Sequence, residues 1–245
     1  MKECQDAFGR GMYEYFKSKS GWEIVERDDG YIALSGGPAA YLAEYKRWPS
    51  YQRQAMRYAR GRVLDIGCGA GRHSLHLQKK GLDVLGIDTS SLAIKVSRLR
   101  GLRKAKIMSI NQVNSRLGTF DTFLMLGNNF GLFGSFAGAR RLLKRFHGMS
   151  TEGARIIAES RDPYKTSDPS HLAYHKRNRQ RGRMSGQVRI RVRHKGLATP
   201  WFDYLLASPG EVERILKGTG WRLARILQGK DARYVAVIVK KKDES

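Results

Sequence analysis

Residues 62–88 constrain the fold more than any other stretch. An apolar run, Arg62-Val63-Leu64-Asp65-Ile66, enters the turn Gly67-Cys68-Gly69-Ala70-Gly71, and an amphipathic segment from His73 to Lys80, a second apolar run and an acid at Asp88 follow. Glycine is needed where a backbone turns tightly at the carboxyl end of a strand and comes close to a ligand, because no Cβ stands in the way. The spacing is GxGxG: Arg72 occupies the place where a dinucleotide fingerprint needs its third glycine, and no Gly-Lys-Ser/Thr follows to cradle phosphates. An acid at the end of the second strand can accept hydrogen bonds from both hydroxyls of a ribose. The segment reads as a nucleotide-type site whose phosphate versions are excluded by spacing.

From Arg62 onward, short apolar runs alternate with amphipathic stretches, the mark of βαβ units around a parallel sheet. Parallel strands are expected at 62–66, 83–87, 104–108, 122–126 and 154–158, with helices between them. Ser208, Pro209 and Glu211 signal a helix start: an N-cap, a proline in the first helical position and the acid of a capping box. Two more strands, 221–227 and 234–239, joined by a loop containing Gly229, read as a terminal antiparallel hairpin. Ahead of the core, a helix is expected over 4–19, then a hairpin of 22–25 with 31–34 about Asp29-Gly30. Residues 1–60 thus read as an N-terminal helical and hairpin cap, and 61–245 as the main domain, with an insert at about 160–207.

The succession of strand, GxGxG turn, helix, strand and acid resembles the class I S-adenosylmethionine-dependent methyltransferases over about residues 37–240. VLDIGCGAGRHSLHL is similar to their first motif, GLDVLGIDTS to their second, FDTFLMLGNN (120–129) to their fourth strand, and the terminal hairpin to their sixth and seventh strands. The resemblance implies an α/β fold: a Rossmann-like seven-stranded sheet, last strand antiparallel, helices on both faces, the N-terminal cap and a basic insert after the fifth strand. It implies S-adenosylmethionine as cofactor, with 61–245 as the catalytic domain. Gly67, Gly69 and Gly71 would line the methionine portion, Asp88 would bind the ribose, and Asp65 would hold the turn or the amino group. Cys68, Thr89, Ile110 and Gly127 complete the expected cofactor set. Many members place an acid near the adenine amine; this chain has Ser109-Ile110-Asn111-Gln112, and Asn111 is expected to serve there through its side-chain carbonyl.

Methyl transfer from a sulfonium is an in-line displacement with an activated leaving group, so the protein supplies mainly alignment and a water-poor site. After the fourth strand stand Gly127-Asn128-Asn129-Phe130-Gly131. Asn128, Asn129 and Phe130 can form a platform for a flat, amine-bearing acceptor, the ring stacking and one amide carbonyl receiving N–H. The alternative is that the two asparagines only shape the turn with the flanking glycines. Asp162, Tyr164 and His171, after the fifth strand, are substrate-pocket candidates; His171 and His175 share a helix face at i, i+4.

Charge bears on the acceptor. The chain carries 46 basic against 22 acidic residues, net +24, and almost none of that excess lies in the first sixty residues. Such a field recruits polyanions. Residues 176–195 hold nine Lys and Arg and no acid. Arg189, Arg191 and Arg193 alternate with Val188, Ile190 and Val192, so a strand would present three guanidinium groups on its open face, with Trp201, Phe202 and Tyr204 nearby as stacking surfaces. The primary expectation is methylation of a base, at an exocyclic amine, in structured RNA such as rRNA or tRNA. The runner-up is a small-molecule methyltransferase for an anionic metabolite or natural product, with Tyr41, Tyr45 and Trp48 of the front segment closing over the cofactor. The two cysteines, Cys4 and Cys68, fit no zinc spacing, and no apolar run approaches the roughly 18–20 residues of a membrane helix. The first residues lack the pattern of a secretory signal. A cytoplasmic monomer or homodimer with no metal and no membrane partner is expected.

Overall fold

The computed structural model describes residues 3–241. Helix α1 (Ala7–Ser18) starts where Asp6 dictates: its carboxylate accepts the Gly9 N–H at 2.9 Å, so Glu3–Gln5 form a separate 3₁₀ turn instead of the first turn of a helix from residue 4. Strands β1 (Ile24–Arg27) and β2 (Ile32–Leu34) make the expected hairpin, with Gly30 at φ 88° in its turn. Helices α2 (Gly37–Leu42) and α3 (Ser50–Ala55) follow. The alternating region runs β3 (Arg62–Ile66), α4 (Arg72–Lys79), β4 (Asp83–Asp88), α5 (Ser91–Leu99), β5 (Ala105–Ile107), β6 (Phe120–Met125), α6 (Phe136–His147) and β7 (Ser150–Arg161). Then come α7 (Pro169–Gln180), β8 (Gln187–His194), β9 (Leu197–Ala198), β10 (Phe202–Leu205), α8 (Pro209–Leu216), β11 (Trp221–Gln228) and β12 (Arg233–Lys240). The capping box at α8 is present in full.

Seven strands form one sheet in the order β11-β12-β7-β6-β3-β4-β5. β6 with β7 and β4 with β5 are parallel, whereas β12 runs antiparallel to both β7 and β11. This is the fold class expected. β7 extends past the anticipated 154–158 because β12 pairs with it from Arg155 to Arg161 while β6 lines its other side, so partners on both edges satisfy its backbone groups.

A second sheet has the order β10-β8-β1-β2, with β9 on β8. β1 pairs antiparallel with β8, Ile24 opposite Arg193 through Arg27 opposite Ile190. The front hairpin and the basic insert are thus parts of one sheet.

The chain divides into two compact units, Met1–Trp48 with Asp65–Gln112 and Arg189–Phe202, and Pro49–Leu64 with Val113–Val188 and Asp203–Ser245. In the first, α1 lies against α5 around a buried cluster of Met12, Ala70, Ala93 and Val96, edged by Phe8, Tyr13 and Tyr41. In the second, aromatic rings fill the core: Phe123 stacks on Phe146 at 4.8 Å, and Trp221 stands edge-on to Phe123 with its indole N–H donated to Leu143 O at 2.9 Å. Among the described residues no helix is long and apolar enough to cross a membrane.

Candidate functional site

In the first unit, β3 ends in the glycine turn. Gly67, Gly69 and Gly71 have φ of 71°, 53° and 78°, all in the left-handed region that side-chain-bearing residues avoid. The N–H groups of Gly67 and Cys68 both donate to Ile87 O, at 2.9 and 3.0 Å, which ties the turn to β4. A Cβ on Gly71 would stand 3.1 Å from Ser97 Cβ, so the third glycine lets the turn press against α5.

Two buried acids flank the turn. Asp65 accepts the Ser74 hydroxyl at 2.6 Å, fastening β3 to α4. Asp88, at the end of β4, accepts Gly69 N–H at 3.0 Å on one oxygen and Ser90 N–H at 2.9 Å on the other. Each oxygen keeps a further lone pair, the pair of acceptors that a ribose diol requires. Burial pushes both acids up, Asp65 and Asp88 each to about 6, chiefly by loss of hydration; Asp88 also raises Asp65, and Asp6 raises Asp88. Thr89 is exposed and Ile110 buried, and Asn111 is exposed with its N–H on Ser109 Oγ at 3.2 Å. Cys68, also in the expected cofactor set, has its side chain buried among Ile94, Leu102 and Ala105 and gives its N–H to Ile87 O.

Sequence reasoning missed what surrounds this turn. Asp6 is fully buried and accepts the Ser90 hydroxyl at 2.7 Å, and Met12 Sδ lies 3.6 Å from where a Gly69 Cβ would be. The Asp6-x-x-Gly9 spacing at a helix start was the available signal. Of the aromatic residues expected to close over the cofactor, Trp48 is buried edge-on against His73 at 4.7 Å, Tyr45 stacks on His76 at 4.2 Å, and the Tyr41 hydroxyl donates to Glu23 at 2.5 Å.

In the second unit, β6 ends in an unusual corner. Gly127 and Asn128 have consecutive left-handed φ values, 77° and 67°, and a Cβ at Gly127 would meet nothing within 4 Å. Glu159 of β7, buried, accepts Gly127 N–H, Gln52 Nε2–H and the Tyr51 hydroxyl, each at 2.7 Å. Tyr204 donates its hydroxyl to Asn128 O at 2.5 Å. The corner is therefore clamped through the N–H of Gly127 and the C=O of Asn128, and the buried Asn128 Oδ1 has no hydrogen-bond partner among the described residues. Burial pushes the Tyr204 phenol up, with the Glu159 charge adding to the shift. Glu159, Tyr51 and Gln52 escaped the sequence reading, whose one clue was an acid ending the apolar run Ile156-Ile157-Ala158.

The other expected site residues have contacts of their own within the chain. Phe130 is fully buried and packs edge-on against Phe133 at 5.0 Å, so it is a core residue with no face for a substrate. Tyr204 is no stacking surface either, since its ring fills the space above Gly131 and its hydroxyl is used at Asn128. The arginine ladder does not form an open anion face. Arg191 makes a two-pronged pair with Glu26 at 2.8 and 3.0 Å and lies 4.6 Å over the Trp201 ring, and Arg193 reaches the same carboxylate at 3.3 Å. Arg189 is exposed, and its backbone carbonyl accepts Asp28 N–H at 3.0 Å. Asp162 caps a turn by accepting Tyr164 N–H at 3.0 Å, the Tyr164 hydroxyl donates to Glu211 at 2.8 Å, and His171 bonds Thr166 at 3.1 Å while His175 is buried.

The sheet order, the left-handed GxGxG turn and the acid ending the next strand form a Rossmann-like fold of the methyltransferase type. Residues 63–151 match the family described as a methyltransferase domain. The crystal structure of an S-adenosylmethionine-dependent methyltransferase from Bacteroides fragilis with S-adenosylhomocysteine shares the fold, with a TM-score of 0.84 and 23% identity over 99% of this chain and 98% of that one. A Geobacillus protein named as a methyltransferase is 23% identical over 131 residues, 50% of this chain and 53% of its own. A glycine/sarcosine N-methyltransferase from Halorhodospira halochloris is 29% identical over 103 residues, 39% of this chain and 38% of its own. The chain spans about half the length, or less, of these curated relatives. Residues 63–151 thus match a methyltransferase domain, and the chain as a whole shares the fold of a solved S-adenosylmethionine-dependent methyltransferase.

Proposed function

We propose that this protein transfers the methyl group of S-adenosylmethionine to a nitrogen of a small molecule. The observation that carries the reading is Asn128 Oδ1, a buried acceptor without a partner among the described residues, in a corner held by Glu159 and Tyr204. An unpaired buried carbonyl costs about 1–3 kcal/mol, and a substrate N–H relieves that cost while leaving the nitrogen lone pair for the methyl carbon. S-adenosylmethionine at the glycine turn would supply a methyl on a sulfonium: the S–CH3 bond breaks as the N–CH3 bond forms, the sulfur leaves as a neutral thioether, and the nitrogen loses its proton to solvent. In the first unit the glycine turn and Asp88 would hold the cofactor; in the second, Glu159 and Tyr204 hold Asn128, which would orient the acceptor. A small acceptor is supported by the relative named for glycine and sarcosine, and by Glu26, which occupies Arg191 and Arg193.

The second reading, a base in structured RNA, draws on the net charge of +24 and on the exposed Lys176, Arg179 and Arg181 of the α7 region. Transfer of radiolabelled methyl into a metabolite extract and into total RNA, both from cells lacking the gene, separates the two. Label in the metabolite fraction, reduced by Asn128→Ala, is the expected outcome. Label confined to one RNA size class overturns the small-molecule reading.

A further inference from the structure

Two backbone amides hold the Asp88 carboxylate, Gly69 N–H on Oδ2 and Ser90 N–H on Oδ1. Helix α1 touches both of those donor residues. At its start, the fully buried Asp6 uses Oδ1 to cap the helix at Gly9, and Oδ2 to accept the Ser90 hydroxyl at 2.7 Å and Leu92 N–H at 3.3 Å. About 9 Å further along the axis, Met12 Sδ stands over Gly69, 3.6 Å from the position of its missing Cβ. Between them is Gly9, where a Cβ would fall 2.1 Å from Ser90 Oγ and 2.7 Å from both Asp6 oxygens. Only glycine lets the helix come so close. Asp6, Gly9 and Met12 follow one another at i, i+3 and i+6 along one face. An N-cap needs one oxygen and is ordinarily solvated, so the cap does not account for a carboxylate with no exposure whose second oxygen reaches residues 84 and 86 positions away.

We propose that α1 is a cofactor-positioning element: Asp6, acting through Ser90, and Met12, acting against Gly69, set the Asp88 carboxylate in the orientation that receives the cofactor ribose. This rests on the assignment of Asp88 to the ribose. Asp6 is a positioning residue, since it touches neither the ligand nor the reacting atoms.

The test is calorimetric titration of the full chain with S-adenosylhomocysteine. Asp6→Asn keeps an oxygen for Gly9, and asparagine caps helices as well as aspartate does, but it sets an amide group where Ser90 O–H and Leu92 N–H need an acceptor. The dissociation constant is expected to rise about tenfold or more, with the ligand-free melting temperature within a few degrees of the parent's. Ser90→Ala in the Asp6→Asn background is expected to weaken binding little further. Gly9→Ala, whose Cβ would crowd both Ser90 Oγ and the Asp6 carboxylate while keeping the acid's charge, is expected to weaken binding as well and serves if Asp6→Asn fails to fold. Parent-like affinity in a folded Asp6→Asn or Gly9→Ala variant overturns the proposal. Failure of the ribose assignment has a different signature: an Asp88→Ala variant binding as tightly as the parent.

Discussion

Asp88 and Asp65 pay for their burial with pKa values near 6, against an ordinary carboxylate value of 3.8. Because the folded-state value lies above the unfolded one, the contribution of these groups to the stability of the ligand-free protein is full below about pH 4 and is lost as pH rises through about 6. Ribose hydroxyls donate to the ionised form, so ligand binding runs the other way. Affinity for S-adenosylhomocysteine is expected to increase between pH 5 and 7, and an Asp88→Asn variant to show weak, flat binding over that range; a parent profile independent of pH would remove Asp88 from the ribose. Gly69 makes a sharper demand. With φ at 53° and Met12 Sδ above it, Gly69→Arg combines a left-handed side-chain residue with a filled turn and is expected to abolish calorimetric binding while the chain stays folded. Unchanged affinity would sink the turn assignment.

Among the elements, β7 carries more than its hydrophobic pattern suggests. Its Glu159 gathers three donors, from Tyr51, Gln52 and Gly127. Glu159→Ala strands all three, each at about 1–3 kcal/mol, for a total of about 3 kcal/mol or more. At about 2–4 °C per kcal/mol for a domain of this size, the expected fall in melting temperature is about 6 °C or greater. A scan within 1 °C of the parent would mean that the cluster contributes nothing to the fold. β8 teaches the opposite lesson about charge. Its alternation does set Val192 inside and Arg193 outside, but Glu26 on the neighbouring β1 answers the guanidinium groups. Replacing Arg191 and Arg193 with Gln is expected to lower the melting temperature and leave the salt dependence of binding to total RNA unchanged. A log–log slope smaller by about 0.7–0.9 per arginine would return them to phosphate contact.

For the whole molecule, a net charge of +24 means self-repulsion in the compact state. Added salt screens it, the Debye length falling from about 30 Å at 0.01 M to about 10 Å at 0.1 M. The ligand-free melting temperature is therefore expected to rise over that range of sodium chloride. A fall would indicate that the ion pairs of the paired acids, such as Glu26 and Asp29, outweigh the repulsion.

What the sequence determined by itself was local. The GxGxG spacing with an acid one strand later specified the turn and the class of fold, and the resemblance it carries implied the cofactor, since glycine conformations, strand periodicity and capping signals all act over a few residues. The corner at Gly127-Asn128 was also marked, because paired amides between glycines are legible as a site or a turn. Tertiary structure decided the rest. Glu159 meets Tyr51 and Gln52 across more than a hundred residues, Asp6 meets Ser90 across 84, and Arg191 meets Glu26 across 165. Whether Phe130 offers a ring to a substrate or fills a core, and whether an arginine faces an anion or a glutamate, depends on which distant strand or helix arrives opposite it. No local pattern encodes that, because pairing between remote segments is selected by the burial and hydrogen bonding of the whole chain.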